Sequence, residues 1–280
     1  MLKIQTLNSF FIIILSVSLL VACGNDDERV QDGLLTPDVT SIGIGMPIAK
    51  YYTMWSDDDV KEYAYKYSND NRVNSFYGDG WSLSLSPLEF NNGRQSLKNF
   101  LLNDAGCTVY FERFTDGNVN ARFILTYDSN NNLVSVKSQD VTGEETYKII
   151  RSADGKITET QKYAEDGVLY ETCTFTYGSS PVYNIDGNFV VPLISDYCFL
   201  APIGLLGRPD KYLPSQCKSV TKTKNGSSTM NAKYDYEMQN GHIRQIKESW
   251  TWPDEGLQWA FFTSYMYKGL YDFDINKEDK

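Results

Sequence analysis

Asp128, Asn130 and Asn132 occupy alternate positions in LTYDSNNNLVSV, residues 125–136, in the manner of the first ligands of a calcium loop. A helix-flanked calcium loop also needs glycine at its sixth position and glutamate at its twelfth. Counted from Asp128, those positions hold Leu133 and Gln139, and the equivalent stretches SNDNR, SADGK and EMQNGH drop the ligand pattern. The stretch reads as a hairpin turn, and no metal site is expected. His242, the single histidine, follows Asn240-Gly241 with no serine or cysteine motif beside it, so a solvated turn histidine outweighs a general base. No GxSxG, Walker A or HExxH pattern occurs. Glu112, Glu159, Glu171 and Glu248 alternate with apolar residues and could pair as in glycosidases, but outward strand carboxylates are the ordinary case. The expectation is a non-enzyme without catalytic residues or cofactor.

Aromatic residues give a stronger lead, with 5 Trp, 20 Tyr and 14 Phe, more tyrosine than a core requires. Trp250 and Trp252 share one face of a strand, with Trp259 and Tyr265 on what should be its neighbour. An exposed row of rings would stack on sugars, which makes a glycan-binding accessory protein the alternative function. Buried rings would instead be cross-strand pairs filling an interior.

Of five cysteines, Cys23 stands apart. Cys107, Cys173, Cys198 and Cys217 lack CxxC spacing, so zinc and redox motifs are not expected. Two disulfides would allow three connectivities, with Cys198–Cys217 preferred; four buried thiols is an equal alternative.

Lys3 followed by an apolar stretch from Phe10 to Ala22 reads as a signal peptide over residues 1–22, too short to span a bilayer comfortably. Its LVAC ending resembles the lipobox of bacterial lipoproteins, which implies cleavage before Cys23 and lipid on its thiol. That leaves 258 of the 280 residues and a firm membrane attachment. GNDDERVQDGLLTPDVT follows, an acidic stretch read as a flexible tether over 23–49. Net charge is −10, and −11 without Lys3, which argues against a nucleic-acid partner.

These residues must be carried by a sheet. Gly106, Gly117, Asn131, Gly143, Gly155, Gly167 and Gly178 mark turns at steps of 11 to 14 residues. Such spacing fits short antiparallel strands joined by tight turns, with no room for crossover helices. The expected fold is an all-β antiparallel meander of about 14 strands over 50–275. A long open meander would leave exposed edges, so closure into a barrel is favoured. An irregular insert, 179–218, contains the Leu-rich stretch Pro192–Gly207, expected to act as a plug and to be partly helical. A unit of Tyr, five polar residues, an aliphatic and an apolar residue three further on starts at Tyr67 and Tyr127. Arg151 and Tyr236 open variants of it.

This unit is similar to the YD-type hairpins of Bacteroidetes surface lipoproteins. The insert NIDGNFVVPLISDYCFLAPIGLLGRPDKYLPSQCKSV, with its Lys211-Tyr212-Leu213-Pro214 step back into sheet, resembles that of one outer-membrane lipoprotein family of unknown function. The resemblance spans roughly residues 60 to 270 and implies a porin-like sheet, an outer-membrane address and no known catalytic residues. The acidic run behind Cys23 resembles the surface-export signal of that group; surface display and the periplasmic leaflet both stay open. Several turns lack the expected glycine, and the four cysteines lie outside the pattern.

Overall fold

The structure, a computed structural model, describes residues 36–39, 47–56, 59–179, 182–183, 195–224 and 226–267. These belong to one compact unit spanning 33–280. The signal stretch, Cys23 and residues 24–35 of the acidic run lie outside the described residues.

The chain forms an antiparallel meander. Its first half comprises β1 (Ile48–Ser56), β2 (Asp59–Tyr67), β3 (Val73–Gly78), β4 (Trp81–Leu85), β5 (Leu88–Asn91) and β6 (Gln95–Leu102). Then come β7 (Thr108–Thr115), β8 (Asn118–Tyr127), β9 (Leu133–Asp140), β10 (Gly143–Arg151), β11 (Ile157–Ala164) and β12 (Leu169–Thr176). The insert contributes β13 (Val182–Tyr183), a 3-10 helix η1 (Ser195–Leu200) and β14 (Tyr212–Leu213). The remaining strands are β15 (Gln216–Thr223), β16 (Gly226–Gln239), β17 (His242–Trp252) and β18 (Leu257–Tyr267). Sixteen of these strands close into one barrel through the β1–β18 pairing, while β13 and β14 pair separately. The barrel thus has two strands more than the roughly 14 expected. The insert also ends early, since β15 already begins at Gln216.

Alternation explains the wall. In β8, Ala121, Phe123 and Leu125 are buried, whereas Arg122, Ile124 and Thr126 face outward. Asp79-Gly80, Asp116-Gly117 and Asn240-Gly241 have positive φ at both residues, 48° and 78°, 50° and 81°, and 52° and 85°. That is the backbone of two-residue hairpins whose twist matches the strands.

The repeated unit has a structural cause. Its aliphatic and the residue three further on are both buried: Val73 with Phe76, Leu133 with Val136, Ile243 with Ile246. A spacing of three conflicts with the period of two in a flat strand. A β-bulge follows each aliphatic: pairing jumps from Val73 to Ser75, Leu133 to Ser135, Ile157 to Glu159, and Ile243 to Gln245. The extra residue turns both side chains inward. All four units lie at the same end of the barrel.

That end is closed by the chain itself. A 16-stranded barrel is wide enough to hold a channel, but here η1 and residues 201–206 enter it. Phe199 is 1% exposed and touches Phe76 at 5.1 Å, Phe90 at 5.4 Å, Trp81 at 5.5 Å and Tyr63 at 6.4 Å. Tyr197 meets the cross-strand stack of Phe111 on Phe123 (4.5 Å) edge-on. Repeat residues pin the plug's outer side. The hydroxyls of Tyr67 and Tyr127 donate to the carbonyls of Pro202 and Leu205, both at 3.3 Å. Arg151 forms a buried ion pair with Asp210 at 2.8 Å. Gly207 has φ +83°, and a Cβ there would lie 2.5 Å from the Asn131 carbonyl oxygen. The expected plug is present, with a 3-10 turn as its helical part.

Two expectations need correction. Of the stretch read as a tether over 23–49, the described residues 36–39 and 47–49 pack on the barrel. Thr36, Val39 and Ile48 are buried, and the Val39 amide donates to the Asn71 carbonyl at 3.3 Å. Cys217 bonds to Cys173, not Cys198. Both bonded cysteines lie on the inner face of the adjacent strands β12 and β15, where Cys217 stands opposite Phe175 and Cys173 opposite Ser219. The insert loops out between those strands, so neighbours in space are distant in sequence. Cys107 is a buried free thiol.

Candidate functional site: the barrel lumen at its open mouth

The opposite end is built of tight turns such as 79–80, 116–117, 165–168 and 253–256, and among the described residues no segment crosses it. The lumen there changes character. Strand register carries the inward face from buried Ile149 through Thr160 and Cys173 to Ser219, and the next rung toward the mouth holds Tyr147, Lys162 and Glu171. A cavity of about 50 Å³ opens beneath this rung, bordered by Lys162, Glu171, Ser219, Met230, Tyr234 and Trp250.

The charged groups of this lumen have partners within the wall. Lys162 Nζ sits 3.1 Å from Glu145 Oε2, and 4.9 and 5.2 Å from the ring centres of Tyr147 and Tyr170. Burial opposes its charge, but the Tyr147 and Tyr170 hydroxyls and the Glu145 carboxylate outweigh it and raise its pKa above the usual lysine range. Tyr170 donates to Glu145 at 2.7 Å, and Ser219 donates to Glu171 at 3.1 Å. On the plug side, Arg113 donates to Asn120 at 3.0 Å and to the Tyr197 hydroxyl at 3.1 Å. Glu248, opposite Tyr234 and Phe261, accepts a bond from Trp250 Nε1–H at 3.0 Å. Burial pushes its carboxyl up to about 7, against the pull of that hydrogen bond.

All four aromatics singled out in the sequence face the lumen rather than the outer wall. Trp250 stands opposite Trp259, and Trp252 opposite Leu257. Trp250 lies 6.0 Å from Trp252 and 5.0 Å from Phe261, and it packs on the core. Trp259 is 51% exposed at the rim. Tyr265 also packs on the core, but six residues along β18 place it about 20 Å from Trp259. The three tryptophans therefore form one cluster without Tyr265.

The carboxylates divide by face. Glu112 is on the outer wall, taking hydrogen bonds from Asn99 (2.6 Å), Tyr110 (2.6 Å) and Arg122 (3.1 Å). Glu159 also faces outward, opposite Thr174. Glu171 and Glu248 face inward but stand three strand spacings apart, roughly 14 Å of wall, and each is held by its own partner. A glycosidase pair needs carboxyls roughly 5–9.5 Å apart. His242 opens β17 at the plugged end, remote from the lumen cluster. Asp128 accepts bonds from the Asn130 and Asn132 amides, both at 2.9 Å, and from the Asn132 side chain at 2.8 Å. Its carboxylate organises the turn.

Sequence reasoning missed Lys162, Glu145, Tyr147, Tyr170 and Arg113. Counting by twos from buried Ile157 puts Lys162 on the outside; the bulge after Ile157 moves it inward. The only available signal was the bulge-bearing repeat itself.

The outer wall mixes ion pairs with exposed apolar residues such as Val60, Ile124 and Ile150. Lys137 pairs with Glu144 at 2.8 Å, Lys233 with Asp235 at 2.7 Å and Arg244 with Glu237 at 3.0 Å. Lys148, Lys218 and Lys247 are exposed. A porin-like protein from Bacteroides vulgatus, known from its crystal structure, aligns with a TM-score of 0.56 at 12% identity, over 80% of this chain and 100% of its own. The fold is a porin-like barrel. A second porin-like protein, from Bacteroides uniformis, aligns with a TM-score of 0.45 at 13% identity, over 80% of this chain and 98% of its own. No protein-family description matches the chain, and no curated protein matches it either.

Proposed function

We propose that this chain is a non-catalytic protein of the bacterial outer membrane, held by lipid on Cys23, whose barrel stands in water and works through its open mouth. The observation that carries this is the distribution of polarity. A membrane barrel has an apolar outer band and a polar interior. Here the outer wall holds ion pairs and exposed lysines among its apolar residues, while the interior around Phe199 is a packed apolar core rich in aromatic rings. Each Lys or Arg in a lipid-facing band would cost about 2–4 kcal/mol at the bilayer centre.

The anchor would also set orientation. Thr36–Val39 packs at the plugged end and β1 starts there. Twelve residues lie between Cys23 and Thr36, a reach of at most about 45 Å. The plugged end then faces the membrane and the mouth faces away. The test is a Cys23→Ser chain beginning at residue 23, together with the lipidated protein carrying a fluorophore at Asp154 (plugged end) or Asp116 (mouth). The reading expects a detergent-free monomer from the first, and stronger quenching by headgroup-labelled lipid at position 154. A chain that needs detergent, or stronger quenching at 116, overturns it.

A further inference from the structure

We infer that the open mouth is a binding site for the terminal residue of a neutral oligosaccharide, entered end-on. The inference rests on the reading of the barrel as a plugged, water-facing vessel. Three features select the ligand. Trp252 and Trp259 line the inner rim beside exposed Leu257, and flat rings of this kind take the apolar faces of sugar rings. Glu171, Ser219 and Lys162 border the small cavity and offer acceptors and donors for hydroxyl groups, the mixture expected of an orienting pocket. Lys162 is ion-paired to Glu145, and Arg113 gives hydrogen bonds to Asn120 and the Tyr197 hydroxyl, so both cations already have partners in the wall and neither selects an anionic ligand.

Depth sets the mode of entry. The lumen ends blind on Tyr197 and Phe199, so a polysaccharide cannot thread through it. The cavity of about 50 Å³ under the rim admits a hydroxymethyl-sized group, not a whole ring. The ring itself must then rest at the rim against Trp252 and Trp259 while one substituent reaches Glu171 and Ser219.

The experiment uses the Cys23→Ser chain on an array of oligosaccharides with free non-reducing ends, followed by titration of the best linear binder and of a cyclic oligosaccharide with the same linkage. Saturable binding to linear chains is expected, lost roughly tenfold in Trp259→Ala and Trp252→Ala, with the cyclic compound at least tenfold weaker. The rim variants should keep the wild-type melting temperature. No binding across the array, equal binding of the cyclic compound, unchanged affinity in both variants, or displacement by a lauryl-chain detergent alone would each overturn the inference. A chain that inserts into vesicles would instead refute the water-facing reading on which it rests.

Discussion

Replacing Phe199 with alanine is the sharpest perturbation of the plug. Its ring is 1% exposed and sits among Tyr63, Phe76, Trp81 and Phe90 at 5.1 to 6.4 Å. No backbone ladder depends on it, so the loss should be one of packing. Truncating a buried phenylalanine costs about 3–5 kcal/mol through lost transfer energy and the cavity left behind. The upper half of that range applies here, because closed strands cannot collapse into the gap and five aromatic contacts, that to Tyr197 included, vanish together. For a domain of this size, about 4 kcal/mol corresponds to a fall in melting temperature of roughly 8–16 °C. Urea denaturation followed by circular dichroism, with the solvent-facing Val141→Ala as control, would measure it. Val141 is 88% exposed and should change stability by less than about 0.5 kcal/mol. A Phe199→Ala loss below about 1 kcal/mol would mean that the insert does not belong to the barrel core.

Three further outcomes follow from other contacts. The Cys173–Cys217 bond spans 44 residues, so its reduction, or Cys173→Ser, should cost about 4 kcal/mol by loop entropy; matched melts with and without reductant would show it. Arg151→Met removes the cation beside buried Asp210, 9% exposed, and should destabilise by about 3–5 kcal/mol, whereas removing both charges with Asp210→Leu should recover much of that in a double-mutant cycle. Glu248 has its folded pKa raised from 4.5 to about 7, so the folded state holds the extra proton between those values. Stability should therefore fall as pH rises from about 4.5 to 7 and level off above, by up to about 3 kcal/mol. In Glu248→Gln that slope should vanish, as denaturation at a series of pH values would reveal.

Much of this architecture was readable in the residues. The Asp-Gly and Asn-Gly turns announce hairpins because few other residues accept two successive positive φ angles. The insert around Phe199 and Leu205 announces a plug because so many apolar side chains cannot stay in water. What could not be read was sidedness. The Trp250-x-Trp252 pattern places two rings together, yet period two does not say which face is the inside. The bulge after Ile157 hides Lys162 by shifting the alternation midway along a strand. The disulfide escaped for a related reason: proximity in sequence favours Cys198, whereas adjacency of β12 and β15 across the insert dictates Cys173. Strand number was underestimated because β4 and β5 are only five and four residues long and blur into one segment.

Planar-bilayer conductance of the purified full-length chain bears most directly on the claim that this barrel is a sealed vessel rather than a pore. A lumen filled by Phe199, Tyr197 and their neighbours, behind a charged outer wall, predicts a silent bilayer at all protein concentrations. Reproducible unitary current steps from the wild-type chain would contradict it.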